Sequence, residues 1–130
     1  MKEKENNKES YEKIVELLLE NHNRATFNKD KLGAYYLNDI LEMHLEEDEN
    51  RVMDCLNYSV DSLKEYPKKG AIYHDIIMNL FMESRGMSVR DLADKHSISV
   101  ASVYTYKAAA MQIIASIFSV MIKTQGGVLV

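Results

Sequence analysis

From Ala108 to Ile122 the chain offers only three polar side chains, Gln112, Ser116 and Ser119, and they fall on one narrow stripe at helical spacing. A surface helix of a globular protein shows a broader polar face. A helix this apolar fits in two ways: at the centre of a fold with other helices wrapped round it, or against a second subunit. A run of 15 residues is short for a membrane span, which needs about 20. The rest of the chain must supply whatever covers this helix.

That remainder also reads as helical. Leu, Ile, Met, Ala, Glu and Lys are abundant, there is one Pro, and the alternation that marks strands is scarce. The expectation is an all-α protein of about six helices. Ser10 is placed to cap a first helix over 11–21, with Ile14, Val15, Leu17, Leu18 and Leu19 inward and a frayed polar segment before it. Residues 21–30 read as a loop. Asp30 is placed to cap a second helix over 31–46. The acidic run Glu46-Glu47-Asp48-Glu49 reads as a solvated turn leading into a third helix, 49–65, with Val52, Met53, Leu56, Val60 and Leu63 inward. Pro67-Lys68-Lys69-Gly70 is the clearest breaker. A fourth helix follows over 71–84, carrying Ile72, Tyr73, Ile76, Ile77, Leu80 and Phe81. Gly86 is expected to end it in the left-handed conformation.

After Gly86 the pattern changes. Ser88 with Asp91 three residues on forms a short-armed capping box for a helix over 89–95. Leu92 points to a core, and Ala93 is small where two helices cross. His96 and Ser97 turn the chain, Ile98 plugs the gap, Ser99 caps the next helix, and Val103 returns to the core. A short helix, a tight turn and a capped second helix hold that second helix proud of the surface, where its first two turns can enter a DNA major groove. An ordinary hairpin in a helical bundle can carry the same pattern.

The stretch from Met87 to Ala115 resembles the C-terminal helix-turn-helix of sigma factors, region four, and resembles more closely the small phage regulators of the ArpU type. The matching positions are Leu92-Ala93, Ile98-Ser99, Val103-Tyr104, Lys107 and Ala110. The resemblance extends over about 54–117. It implies a phage-like, DNA-binding transcription regulator. The chain departs from the pattern at Ser97, where the family commonly has Gly, and in a second helix poor in Arg and Lys. Nothing resembling a sigma region two precedes it, so a sigma factor is not implied.

On this reading the chain divides into an acidic helical region, 1–66, the helix-turn-helix unit, 67–123, and a flexible tail, 124–130. Base edges would meet Val100, Ala101, Ser102, Tyr104, Thr105 and Ala108, hydroxyls by hydrogen bonds and methyls against thymine. Phosphates would meet Arg90, Lys95, His96 and Lys107, with Lys68 and Lys69 on a flank. The charge distribution suits DNA contact at one end. The net charge is −4, but residues 85–123 hold five basic against two acidic side chains, a local +3, which leaves −7 elsewhere. So few cations imply modest affinity per monomer, hence a homodimer or a protein partner such as RNA polymerase or another regulator.

Chemistry for catalysis is not visible. There is no phosphate-binding Gly loop and no His-Glu-x-x-His helix, and the four His residues lie one per element. The single Cys55 excludes an internal disulfide and reads as a small buried hydrophobe. The expectations are therefore no enzymatic activity, no cofactor or metal, no membrane association and a cytoplasmic location. The competing reading is a non-catalytic protein-interaction module on the same scaffold, a partner or inhibitor of the transcription machinery or another host factor.

Overall fold

A computed structural model describes residues 2–20, 49–83 and 85–125. These residues are helical, with no strand among them, so the protein is all-α. Five α-helices are present: α1 Lys2–Glu20, α2 Glu49–Ser62, α3 Gly70–Ile77, α4 Val89–His96 and α5 Val100–Gln125. The sixth expected helix, 31–46, lies outside the described residues, as do the loop over 21–30, the turn at 46–48, Ser84 and the tail beyond residue 125.

The centre of the fold is α5, which packs against α1, α2, α3 and α4. Its buried edge, Ala110, Ile114, Ala115, Phe118 and Ile122, joins Ile14, Val15, Leu18 and Leu19 of α1 and Val52, Cys55, Leu56 and Val60 of α2 in one cluster. Phe118 is fully buried and meets Tyr11 edge-on, with ring centroids 6.4 Å apart. Removing a ring so enclosed costs about 3–5 kcal/mol. Arg51 of α2 donates to the Ile122 carbonyl at 2.5 Å, placing a cation at the C-terminal end of α5 where the helix dipole favours one. A second, smaller cluster ties the helix-turn-helix together: Ile76 of α3, Leu92 and Ala93 of α4, and Val103 of α5, with Ile72, Leu80, Val89, Ile98 and Tyr106 against them.

Three local features depart from the sequence expectations. First, α1 begins at Lys2 rather than after Ser10. The Lys and Glu residues of that segment are strong helix formers, and nothing in 2–10 breaks the helix, so propensity carries it beyond the apolar face. Second, α3 does not stay α-helical to its end. Residues Met78–Met82 form a π-helical turn, closed by Glu83 N–H donating to the Met78 carbonyl. The wider turn splays the end of α3 over both clusters, with Leu80 on the smaller one and Phe81 and Met82 on the larger. Third, α5 extends well beyond the 15-residue apolar run. Within Val100–Thr124 it is long and apolar enough to cross a membrane by length and composition alone, a test that core helices also pass.

Gly86 is required for a different reason from the one expected. Its φ is not in the left-handed region; the constraint is space. A Cβ there would lie 2.6 Å from the Asn79 carbonyl carbon and 2.7 Å from its Cα, and nearer still to the oxygen. Gly70 is similarly confined at the start of α3, where a Cβ would sit 2.9 Å from the Lys64 carbonyl oxygen and closer to that of Leu63. Backbone cannot yield as a flexible side chain can. Gly86→Ala is therefore expected to destabilise the fold by about 2–3 kcal/mol, despite the entropy an Ala removes from the unfolded chain. Urea denaturation followed by circular dichroism measures this; a variant as stable as wild type would refute the close approach.

Candidate nucleic-acid interface

The helix-turn-helix is built by local hydrogen bonds that its sequence encodes. Ser88 Oγ accepts from Asp91 N–H at 3.1 Å, and Ser88 N–H donates to Asp91 Oδ2 at 3.5 Å, so the short-armed capping box forms at the start of α4. At the other end Ser97 takes a left-handed conformation, φ 55° and ψ 45°, and its N–H bonds back to Asp94. Ile98 N–H reaches the Ala93 carbonyl at 2.9 Å. Ser99 Oγ then accepts from Ser102 N–H at 3.0 Å, starting α5.

The cap aims the first two turns of α5 outward. Val100, Ala101, Tyr104, Thr105 and Ala108 share an exposed face, with Val100 41% and Tyr104 53% exposed. Ser102 stands apart from them. It is half-buried, and its hydroxyl accepts from Ser99 Oγ at 2.9 Å. Thr105 Oγ1 donates back to the Ala101 carbonyl at 3.1 Å, leaving its lone pairs and methyl outward. The face carries no charged side chain.

The expected phosphate contacts are not gathered in one place. Arg90 is exposed on α4. Lys107 is half-buried, its ammonium 5.3 Å from the Phe81 ring centroid. Lys95 and His96 both converge on Asp75 of α3: Lys95 Nζ lies 2.9 Å and His96 Nε2 2.7 Å from the same Oδ2. Lys68 is exposed and left-handed at φ 71°, while Lys69 donates to the Tyr106 hydroxyl at 2.7 Å with its ammonium 4.5 Å from that ring's centroid.

Asp75 and Asn79 are the site residues that the sequence reading missed. Asn79 Nδ2 donates to Asp75 Oδ1 at 3.0 Å and to the Asp75 carbonyl at 2.9 Å. Asn79 Oδ1 accepts from Met87 N–H at 2.9 Å. Two residues one turn apart on α3 thus hold α4 at both ends, Asn79 just before its start and Asp75 at its finish. The available signal was an acid set inside the apolar run Ile72–Phe81. Burial pushes the Asp75 carboxyl up, but hydrogen bonds from Lys95 and His96, with their charges, outweigh it and hold the carboxyl below its ordinary value.

Among the described residues no group of three or more His, Cys, Asp and Glu side chains is arranged to hold a metal ion. His74 faces Asp61 at 3.7 Å, and Cys55 is buried with a free thiol. An open groove of about 320 Å³ lies between α1 and α5, lined by Glu12, Lys13, Glu16, Ala108, Met111 and Gln112. No family model, curated protein or solved structure matches this chain.

Two outcomes follow from this geometry. The lowered Asp75 carboxyl contributes stability that is complete above the carboxyl's unfolded value, near pH 4, and is lost as pH falls through the folded value. Asp75→Asn should therefore lower the melting temperature at pH 7, and the gap to wild type should shrink below about pH 4; a gap independent of pH would show that the charge is not what binds α4. Ser97→Gly should raise stability by roughly 0.5–1 kcal/mol, because relief of the left-handed strain exceeds the extra entropy of an unfolded glycine. Thermal unfolding of the two proteins side by side measures it.

Proposed function

We propose that this protein is a non-enzymatic, sequence-specific regulator that reads the major groove of duplex DNA with the first two turns of α5, in the manner implied by its resemblance to ArpU-type regulators and sigma region four. The observation that carries the reading is the exposed face of Val100, Ala101, Tyr104, Thr105 and Ala108, presented by a helix whose start is capped and whose inner side is locked by Val103. An outward face needs a rigid mount to read sequence, and the smaller cluster supplies one. Methyls of Val100, Ala101 and Ala108 suit thymine C5-methyl groups, and the hydroxyls of Tyr104 and Thr105 suit base edges or backbone. Arg90 is the exposed cation on the bracing helix, placed for a phosphate. With few cations at hand, binding as a pair of copies on two half-sites raises the total affinity.

A second reading draws on the lack of charge on the same face. Val100 and Tyr104 are exposed apolar surface, and the cations Lys95 and His96 are paired with Asp75. That combination suits a protein partner, with the helix-turn-helix serving as an interaction scaffold for a component of the transcription machinery.

Fluorescence anisotropy against a randomised duplex pool separates the two. The DNA reading expects salt-sensitive binding with a selectable sequence preference. Tyr104→Ala should change that preference, and Arg90→Ala should weaken all duplexes about equally. No salt-sensitive binding to any duplex, with stoichiometric capture of a transcription protein blocked by Tyr104→Ala, would establish the second reading instead.

A further inference from the structure

The turn between α2 and α3 is more ordered than a solvent-facing, lysine-rich loop needs to be. It begins with a 3₁₀ turn at Leu63–Glu65, passes Tyr66 and Pro67, and returns through Lys69 N–H to the Pro67 carbonyl at 2.8 Å and Gly70 N–H to the Tyr66 carbonyl at 3.1 Å. Lys64, Lys68 and Lys69 are all exposed, with Glu65 the one acid among them. Three tyrosine rings form a continuous ladder beneath: Tyr66 to Tyr73 at 5.7 Å and Tyr73 to Tyr106 at 5.8 Å between centroids. The ladder connects the turn to the second turn of α5. Lys69 is fastened at its end, bonded to the Tyr106 hydroxyl and set over its ring, yet its side chain stays in solvent. The bond to Tyr106 raises the Lys69 pKa, so the ammonium stays charged throughout the neutral range.

This arrangement complements what happens on α4. Lys95 and His96 share one carboxylate oxygen of Asp75, so their charge is largely spent inside the protein. The turn carries its cations without such a counter-ion and is pinned to the same helix that carries the candidate reading face.

We infer that the Lys64–Lys69 turn grips the phosphate backbone of duplex DNA beside the groove that α5 enters, with Tyr106 as the residue that positions Lys69. The inference rests on the DNA reading above and assigns the backbone contact to this turn rather than to the α4 C-terminus. A lysine already held in place loses less side-chain freedom on contact than a free one, and a turn with two neighbouring ammonium groups suits successive phosphates of one strand.

The test is the salt dependence of duplex binding by the full chain. Lys68→Asn keeps a residue tolerant of the left-handed backbone, and Lys69→Gln keeps the side-chain length. The double variant should lower the slope of log K against log salt by about 1.8, at about 0.9 per phosphate contact, and weaken every duplex roughly tenfold or more without changing sequence preference. Tyr106→Phe preserves the ring ladder and removes the acceptor; it should weaken binding a few-fold while leaving the slope near wild type, since the charge remains. Equal melting temperatures exclude unfolding as the cause. Wild-type DNA binding with an unchanged slope in the double variant overturns this inference and leaves the DNA reading standing. A wild-type protein with no salt-sensitive duplex binding removes both, and loss of binding to an acidic protein on Lys68→Asn/Lys69→Gln would reassign the turn to that partner.

Discussion

The structure depends on one continuous helix serving two cores. The far half of α5 is buried through Ala110, Ile114, Phe118 and Ile122 against α1 and α2, while Val103 near its start is buried against Leu92 and Ile76. Tyr106 lies between and touches both clusters. Burial of this kind, at about 25 cal/mol per Å² of apolar surface, is the main favourable term available to a small helical protein. It also fixes geometry. A helix held at both ends cannot rotate at one of them alone, so the outward direction of Tyr104 and Thr105 is set partly by Phe118, more than three turns away.

The polar contacts then do what apolar burial cannot, which is to choose one register. Leu92 and Ala93 would tolerate small slides of α4 over α3. The bonds from Asn79 to Met87 N–H and from Lys95 and His96 to Asp75 would not, because hydrogen bonds to charged groups weaken steeply with misalignment. The placement of Gly86 against the Asn79 backbone leaves no room for an alternative path into α4. These contacts stabilise the unit and also define where α5 can begin.

What the sequence made legible was whatever short-range rules control. Ser88 with Asp91, and Ser99 ahead of Val100, mark helix starts because a cap is satisfied within three residues. The inward sets on α1, α2 and α3 follow from period alone. The all-α class followed from the same periodicity and from composition. The candidate reading face was legible as a face, except that Ser102 turns toward Ser99. The rest required the third dimension. No local rule says that Asp75 meets residues twenty positions later, or that Lys69 meets Tyr106 on another helix. The need for Gly86 looked like a matter of φ and is a matter of crowding. The extension of α1 to Lys2 was hidden because a stretch of Lys, Glu and Asn has no apolar period to read.

The π-helical turn at Met78–Met82 bears on how this chain can change length. A five-residue turn holds one residue more than the α-helix would need, and that surplus places Phe81 and Leu80 on different clusters and brings Gly86 under Asn79. Loss of a single residue there would return α3 to α spacing and rotate everything after it by about 100°, the angular step of one helical residue. Insertions and deletions of one residue are thus tolerable in a surface turn but not at the end of α3. In descendants of this sequence the span from Asp75 to Gly86 should keep a constant count even where its residue types drift.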